Sequence, residues 1–209
     1  VFGYLWGLAR FFTMAAALDT VSAFEGMGAS REALFSCLAE PTLLLGLLAL
    51  AREAASFSLS DMLSVSLIRV WALHAPALCL VIAALIVVFL TENARIPIDD
   101  PATQLARTMI HEVMVLDHGG PDLALIEYAS AVKFFALGTI LVRMVHPIRS
   151  TEFWPGAAHL LLGLVILSIV VGVIESTMAR FRLNRIPQFL TLSFVLSGFG
   201  VILTLVTAP

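Results

Sequence analysis

Long apolar stretches separated by short polar connections run through the whole chain. The hydrocarbon core of a bilayer is about 30 Å thick, and a helix of about 20 residues crosses it. Backbone groups in lipid must be bonded within their own structure, and these runs are too continuous for barrel strands with alternating faces. The pattern therefore predicts an all-α, polytopic bundle of about six transmembrane helices. The six runs are Val1–Leu18, Ala33–Ala51, Leu63–Leu90, Leu123–Val145, Ala157–Met178 and Ile186–Val206.

The composition agrees with a membrane protein and argues against a metal site in this chain. Hydrophobic residues make up 60% of the 209 residues and charged residues only 13%, which is more apolar surface than a soluble domain of this size buries. Cys37 and Cys79 each stand alone in an apolar run, so we predict no metal or cofactor in the chain. We take residues 1–209 as one membrane domain. Because Val1 already lies in a hydrophobic stretch, we expect the N-terminal part of the fold to be missing from this sequence.

Arginine is unevenly distributed between the connections. The odd-numbered connections contain Arg31, Arg95, Arg107, Arg180, Arg182 and Arg185, whereas the even-numbered ones contain Arg52 and Arg149. Loops that stay in the cytoplasm are enriched in Lys and Arg. The odd-numbered loops are therefore predicted to be cytoplasmic, and both ends of the sequence to face outward.

Several ionisable side chains fall inside the predicted spans. Each costs about 2.5–3.5 kcal/mol at mid-bilayer on translocon scales, so each requires a partner, a wet cavity or a route to the interface. Arg143, like Arg52 at the end of the second run, is close enough to the interface to extend its charge into it. Glu40 and His74 each lie just before a proline, where a broken helical turn suits an ion or water site as well as a simple kink. The intramembrane set is Arg10, Glu40, Arg69, His74, Glu127, Lys133 and Arg143.

Glu127 and Lys133 lie six positions apart in the same predicted helix, a spacing that does not let them form an ion pair with each other. Six positions at 100° per residue leave them about 120° apart around a helix. Each therefore requires a different neighbour. A chain of such groups can pass protons between helices, since a carboxylate desolvated in the bilayer can change charge near neutral pH. A static buried ion pair is the alternative.

The segment 91–122 interrupts the apolar pattern with many polar groups. Asp99 or Asp100 followed by Pro101 is typical of a helix start, so a short helix is predicted from Pro101 to about Leu116. Apolar residues recur along it at helical spacing and polar ones occupy much of the rest, which indicates an amphipathic helix at the membrane surface or against a partner. A solvated interfacial loop is the alternative.

Several motifs in the chain resemble those of one family of membrane proteins. The run ENARIPIDDPATQLARTMIHE, residues 92–112, is the most specific, and DLALIEYA (122–129), LAEP (38–41) and ESTMARFRLNRIP (175–187) extend the match. They resemble the family that contains NADH dehydrogenase subunit 1 of respiratory complex I, most of all its branch in membrane-bound group 4 nickel–iron hydrogenases of the formate hydrogenlyase and hydrogenase-4 type. The resemblance covers nearly the whole chain. That family usually has eight helices, so two would precede Val1.

The resemblance implies a non-catalytic membrane-anchor and coupling subunit, which links redox chemistry in a peripheral arm to proton or sodium translocation. Its partners would be hydrogenase-type large and small subunits, which would hold the nickel–iron centre and iron–sulfur clusters, and antiporter-like membrane subunits in a prokaryotic cytoplasmic membrane. The residues implied in ion coupling are Glu40, Glu92, Asp99, Asp100, Glu112 and Glu127, and the intramembrane position of Lys133 adds it to them. Those implied in holding the cytoplasmic loops or the partner are Arg95, Arg107, His111, Arg180, Arg182 and Arg185.

Two other functions stay open at this point. One is the quinone-site subunit of a complex I NADH dehydrogenase, and the other is a stand-alone secondary transporter. Neighbouring genes distinguish them, because a transporter should lack an adjacent nickel–iron-type large subunit. Nothing in the sequence indicates nucleic-acid binding, since no basic run with interleaved aromatic residues is present.

Overall fold

The computed structural model describes residues 2–63, 66–93, 113–115, 118–147, 153–177 and 186–207. Helices dominate these ranges, as the all-α prediction requires, and that prediction is confirmed. The helices are α1 Phe2–Asp19, α2 Ala23–Ala54, α3 Leu59–Met62, α4 Ser66–Glu92, α5 Pro121–Val145, α6 Phe153–Thr177 and α7 Ile186–Thr207, with a 3₁₀ turn at Val113–Val115 between α4 and α5.

Five helices in the described ranges are long and apolar enough to cross a membrane: α2, α4, α5, α6 and α7. The first predicted run forms α1, which has 18 residues and is not among the five, since it carries Arg10 and Asp19. The second run is longer than predicted, because α2 begins at Ala23 rather than Ala33. The added stretch contains Glu25, Arg31 and Glu32, so a search for continuous apolar runs does not include it although it is helical.

The two prolines inside helices behave differently. The backbone of α4 leaves the helical region at His74 (φ −127°, ψ 34°), two residues before Pro76, as expected where a proline ring displaces the preceding turn. In contrast, α2 continues as one helix from Ala23 to Ala54 with Pro41 inside it. Of the two predicted breaks, only the one at His74 is present.

Close packing of α2, α4 and α7 forms the centre of the bundle. A Cβ atom added at Gly200 of α7 would lie 2.6 Å from Val81 Cγ2 of α4, so the missing side chain lets these helices approach closely. Ser197 Oγ donates a hydrogen bond to the Thr42 carbonyl of α2 at 3.2 Å. The helix α1 packs on α2, and α5 packs on α4 and α6.

The two halves of α5 have different surroundings. Residues 121–132 are exposed on nearly every side, and only Ile126 among them is partly covered. From Phe134 onward the helix is packed: the Phe134 and Phe89 ring centroids lie 5.0 Å apart, and Leu137, Ile140 and Met144 are buried. We refer to residues 121–132 as the exposed half of α5.

Candidate functional site

Arg10 lies in the middle of α1, yet only 6% of its surface is exposed. Its guanidinium group contacts three carboxylates on two other helices. A planar guanidinium presents several N–H groups in a fixed fork, so one arginine can hold several carboxylates at once, which a lysine cannot do in the same geometry. An arginine in an apolar run thus becomes the centre of an ionic network.

Two of the carboxylates come from α2. Glu32 and Glu40 are eight residues apart, which corresponds to about 12 Å along the helix axis. Arg10 lies between them: its Nε atom is 3.2 Å from Glu32 Oε1, and its Nη1 atom donates to Glu40 Oε1 at 3.0 Å. Glu32 is nearly buried, whereas 39% of the Glu40 side chain is exposed.

The third carboxylate, Glu92, ends α4 and is only 6% exposed. Arg10 Nη2 donates to its Oε1 atom. On the other oxygen, Lys133 Nζ of α5 lies 3.2 Å from Oε2, and Trp6 Nε1 of α1 donates to the same atom at 3.2 Å. The ammonium group of Lys133 also lies 5.6 Å from the centroid of the Trp6 ring, within the range of a cation–π contact.

Together these residues form what we refer to as the Arg10 cluster. It brings side chains of α1, α2, α4 and α5 into one network, in which ion pairs join three carboxylates to two cations among the described residues. Carboxylates gathered in this way can bind a proton or a small cation when one of the ion pairs opens. Its members are Trp6, Arg10, Glu32, Glu40, Glu92 and Lys133.

Three of the predicted ion-coupling residues, Glu40, Glu92 and Lys133, thus lie together. The sequence analysis assigned no site role to Arg10, Glu32 or Trp6. The signal for Arg10 was its charge inside an apolar run, and the signal for Glu32 was its eight-residue spacing from Glu40. For Trp6 no comparable signal was available, because an aromatic residue in a transmembrane run is ordinary.

Glu127 lies apart from the cluster, on the exposed half of α5. Within the described ranges no ion pair or hydrogen bond is found for its carboxylate. Lys133 does have a different neighbour, as the 120° separation requires, and that neighbour is Glu92.

The remaining predicted site residues lie outside the described residues. So does the predicted amphipathic helix, apart from the turn Val113–Val115 near its end. The residues concerned are Arg95, Asp99, Asp100, Arg107, His111, Glu112, Arg180, Arg182 and Arg185.

Glu25, a buried carboxylate outside the Arg10 cluster, lies near the start of α2 and is fully covered. The spacing of Ser22 and Glu25 matches a capping box, but Ser22 makes no side-chain cap bond. Instead, Glu25 turns inward and accepts a hydrogen bond from Thr20 Oγ1. It lies apart from the Arg10 cluster and was not singled out from the sequence.

In the ranges that the structure covers, no group of three or more His, Cys, Asp and Glu side chains is arranged to hold a metal ion. The charged contacts of the Arg10 cluster are ion pairs. The fold and the site together define a class: a multi-pass helical membrane protein with an ionic network buried between its helices.

Residues 1–206 match the family model described as NADH dehydrogenase, and the chain belongs to that family. It is similar to formate hydrogenlyase subunit 4 of Escherichia coli strain K12, with 32% identity over 205 residues. It is also similar to hydrogenase-4 component C of the same organism, with 30% identity over 203 residues. Each match covers 94% of this chain and 63% of the relative, so the chain spans less than two thirds of the length of either. The family resemblance predicted from the motifs is confirmed.

Proposed function

We propose that this chain is the membrane-anchor and coupling subunit of a multisubunit hydrogenase-type complex, and that its Arg10 cluster links redox chemistry in a peripheral arm to movement of protons or sodium ions. The names of the two relatives support the hydrogenase-type complex over the complex I alternative. A stand-alone transporter is disfavoured for the same reason, because both relatives are named as parts of larger assemblies.

The observation that carries the proposal is the Arg10 cluster, in which one guanidinium group contacts carboxylates of two other helices. Arg10 connects two carboxylates of α2 to Glu92, the last residue of α4. Asn93 and residues 94–112 follow Glu92 in the chain, so a redox arm that docks on that segment would act on Glu92 through the chain. Release of Glu92 from Arg10 would leave its Oε2 atom with Lys133 and Trp6, and its Oε1 atom would be able to take up a proton or a small cation.

The exposed half of α5 supports a partner inside the membrane. A carboxylate facing lipid costs about 2.5–3.5 kcal/mol, and Glu127 is exposed there among apolar residues such as Leu125 and Tyr128. A neighbouring membrane subunit with a cationic or proton-sharing group would remove that cost. We therefore assign to this half of α5 the contact with an antiporter-like subunit, with Glu127 as the outward member of the ion path.

The polar loops complete the proposal. With the odd-numbered loops in the cytoplasm, Asp99, Asp100 and Glu112 lie on the side of the redox arm and share the coupling role. The docking role falls to Arg95, Arg107, His111, Arg180, Arg182 and Arg185. The nickel–iron centre and the iron–sulfur clusters would then belong to the partner subunits, whose chains supply the thiolate ligands that such centres require.

Purification of the tagged chain from its native membrane, followed by mass spectrometry, tests the assembly. We expect a hydrogenase-type large subunit, a small subunit and at least one antiporter-like subunit to copurify in constant ratio. A chain that purifies alone and moves a solute across liposomes would overturn the proposal in favour of a transporter.

A further inference from the structure

Trp6 contacts both members of the ion pair that joins α4 to α5. It lies on α1 one turn before Arg10, so both side chains leave the same face of that helix. Its Nε1 atom donates to Glu92 Oε2 at 3.2 Å, and Lys133 Nζ, itself 3.2 Å from that oxygen, lies 5.6 Å from the centre of the Trp6 ring. One side chain therefore offers a donor to the carboxylate and a π face to the ammonium.

These two contacts exceed what packing requires. Phe2, a turn earlier, and the Phe89–Phe134 pair fill comparable apolar space with no polar atom. An indole that only fills apolar space still needs a hydrogen-bond acceptor for its N–H group. Trp71 has an uncharged acceptor, since its Nε1 donates to the Met144 carbonyl at 2.9 Å. The acceptor of Trp6 is a carboxylate that is itself in an ion pair.

We infer that Trp6 is a positioning residue for the Glu92–Lys133 pair. Its N–H group fixes the position of Glu92 Oε2, and its ring holds the Lys133 ammonium within reach when that ammonium separates from the carboxylate. This inference rests on the proposed function, in which the pair opens and closes during ion movement. The effect of Trp6 is confined to one oxygen, since Arg10 binds the other.

Trp6 differs from the other partners of Glu92 in that it carries no charge. Arg10 of α1 and Lys133 of α5 contact Glu92, and Glu32 and Glu40 of α2 reach it through Arg10. Trp6 supplies an N–H donor without a charge. Its removal leaves the ion pairs in place but leaves Glu92 Oε2 to Lys133 alone among the contacts described, so the pH dependence of ion movement should change.

The test is Trp6→Phe in the intact complex in inverted membrane vesicles. Ion translocation and reduced-viologen oxidation are both measured as functions of pH. We expect the pH profile of translocation to shift by about one pH unit, the size of one hydrogen bond to a charged group, with viologen activity unchanged. Trp6→Leu also removes the ring, so translocation should fall about two- to thirtyfold across the pH range.

Trp71→Phe is the matched control. It removes an indole N–H that also joins two helices, but this N–H donates to the Met144 carbonyl, which carries no charge. Its pH profile should match that of the unmodified complex. A Trp6→Phe profile that coincides with the unmodified one, or a shift of equal size in Trp71→Phe, would overturn the inference. If Trp6→Phe does not assemble, benzothienylalanine at position 6 keeps the bicyclic ring, replaces N–H by sulfur, and is read by the same criteria.

Glu92→Gln separates this inference from the proposed function. If Glu92→Gln leaves translocation intact, the proposed function fails, and the inference fails with it. If Glu92→Gln abolishes translocation while Trp6→Phe changes no pH profile, only the role of Trp6 is wrong.

Discussion

Glu92 and Glu127 are the same type of residue on neighbouring helices, but their surroundings are opposite. Glu92 is 6% exposed and has charged or N–H partners from α1 and α5. Glu127 is exposed on a half-helix that touches little of the described chain. The first carboxylate is satisfied within the chain, and for the second no partner is found among the described residues.

This difference separates residues that stabilise the chain from residues that would contact a partner. A charged group that the chain satisfies itself contributes to the stability of the bundle, and its loss leaves uncompensated charge behind. A charged group left on an outer face contributes little to that stability but costs free energy in lipid until a partner covers it. Substitutions in the Arg10 cluster should therefore act on the chain, and substitutions on the exposed half of α5 should act on the assembly.

Arg10→Gln should give the largest effect on stability. It removes the cation that contacts all three carboxylates of the cluster, and the loss of one partner from a buried ionic network costs about 3–5 kcal/mol. Thermal unfolding of the detergent-purified complex should show a large drop. Arg52→Gln is the control, since Arg52 is exposed at the end of α2; equal effects of the two variants would contradict a special role for Arg10.

Gly163→Ala should come next, because it tests the packed half of α5. A Cβ atom at Gly163 of α6 would overlap Val142 Cγ1 of α5, and valine has little freedom to rotate away in a helix. Overpacking typically lowers the free energy of unfolding by about 1–3 kcal/mol. The higher helix propensity of alanine relative to glycine offsets up to about 1 kcal/mol of this loss. The net loss should be visible in thermal unfolding, whereas Ala129→Val on the exposed half should leave unfolding unchanged and weaken retention of the partner.

Most of the fold followed from the sequence because one signal, the continuous apolar run, dominates it. The same signal failed at the start of α2, where residues 23–32 are helical but are interrupted by the charged residues Glu25, Arg31 and Glu32. Glu40, Glu92 and Lys133 were predicted as site residues from their positions and motifs. What joins them could not be predicted: Arg10 and Glu92 are 82 positions apart, and neither periodicity nor charge says that α1 packs so as to bring them together.

Ser197→Ala should have a small effect on thermal unfolding. It tests whether a buried but uncharged hydrogen bond contributes as much to stability as the ion pairs do. Its hydroxyl group is fully buried and donates to the Thr42 carbonyl between α7 and α2, near Glu40 but without an ion. Interhelical hydrogen bonds in membranes contribute on average about 0.6 kcal/mol. A loss as large as that of Arg10→Gln would show that tight burial, and not ionic bonding, holds this part of the bundle.

Glu127→Gln should have the smallest effect on the stability of the chain, since no partner is found for Glu127 within the described ranges. Its effect should appear in the assembly instead: ion-coupled turnover should fall while viologen activity of the peripheral arm stays the same. Parallel assays of both activities in membrane vesicles check this. Unaltered coupling would remove Glu127 from the ion path and leave the exposed half of α5 without an assigned role.

Ion translocation by Glu92→Gln in the intact complex tests the central claim most directly. Glutamine keeps the shape of the side chain and an acceptor for Arg10, but it cannot hold the charge that Arg10 and Lys133 share. The account predicts that translocation in inverted vesicles falls to background while oxidation of reduced viologen continues at its normal rate. Normal translocation in this variant would contradict the assignment of the Arg10 cluster as the coupling site.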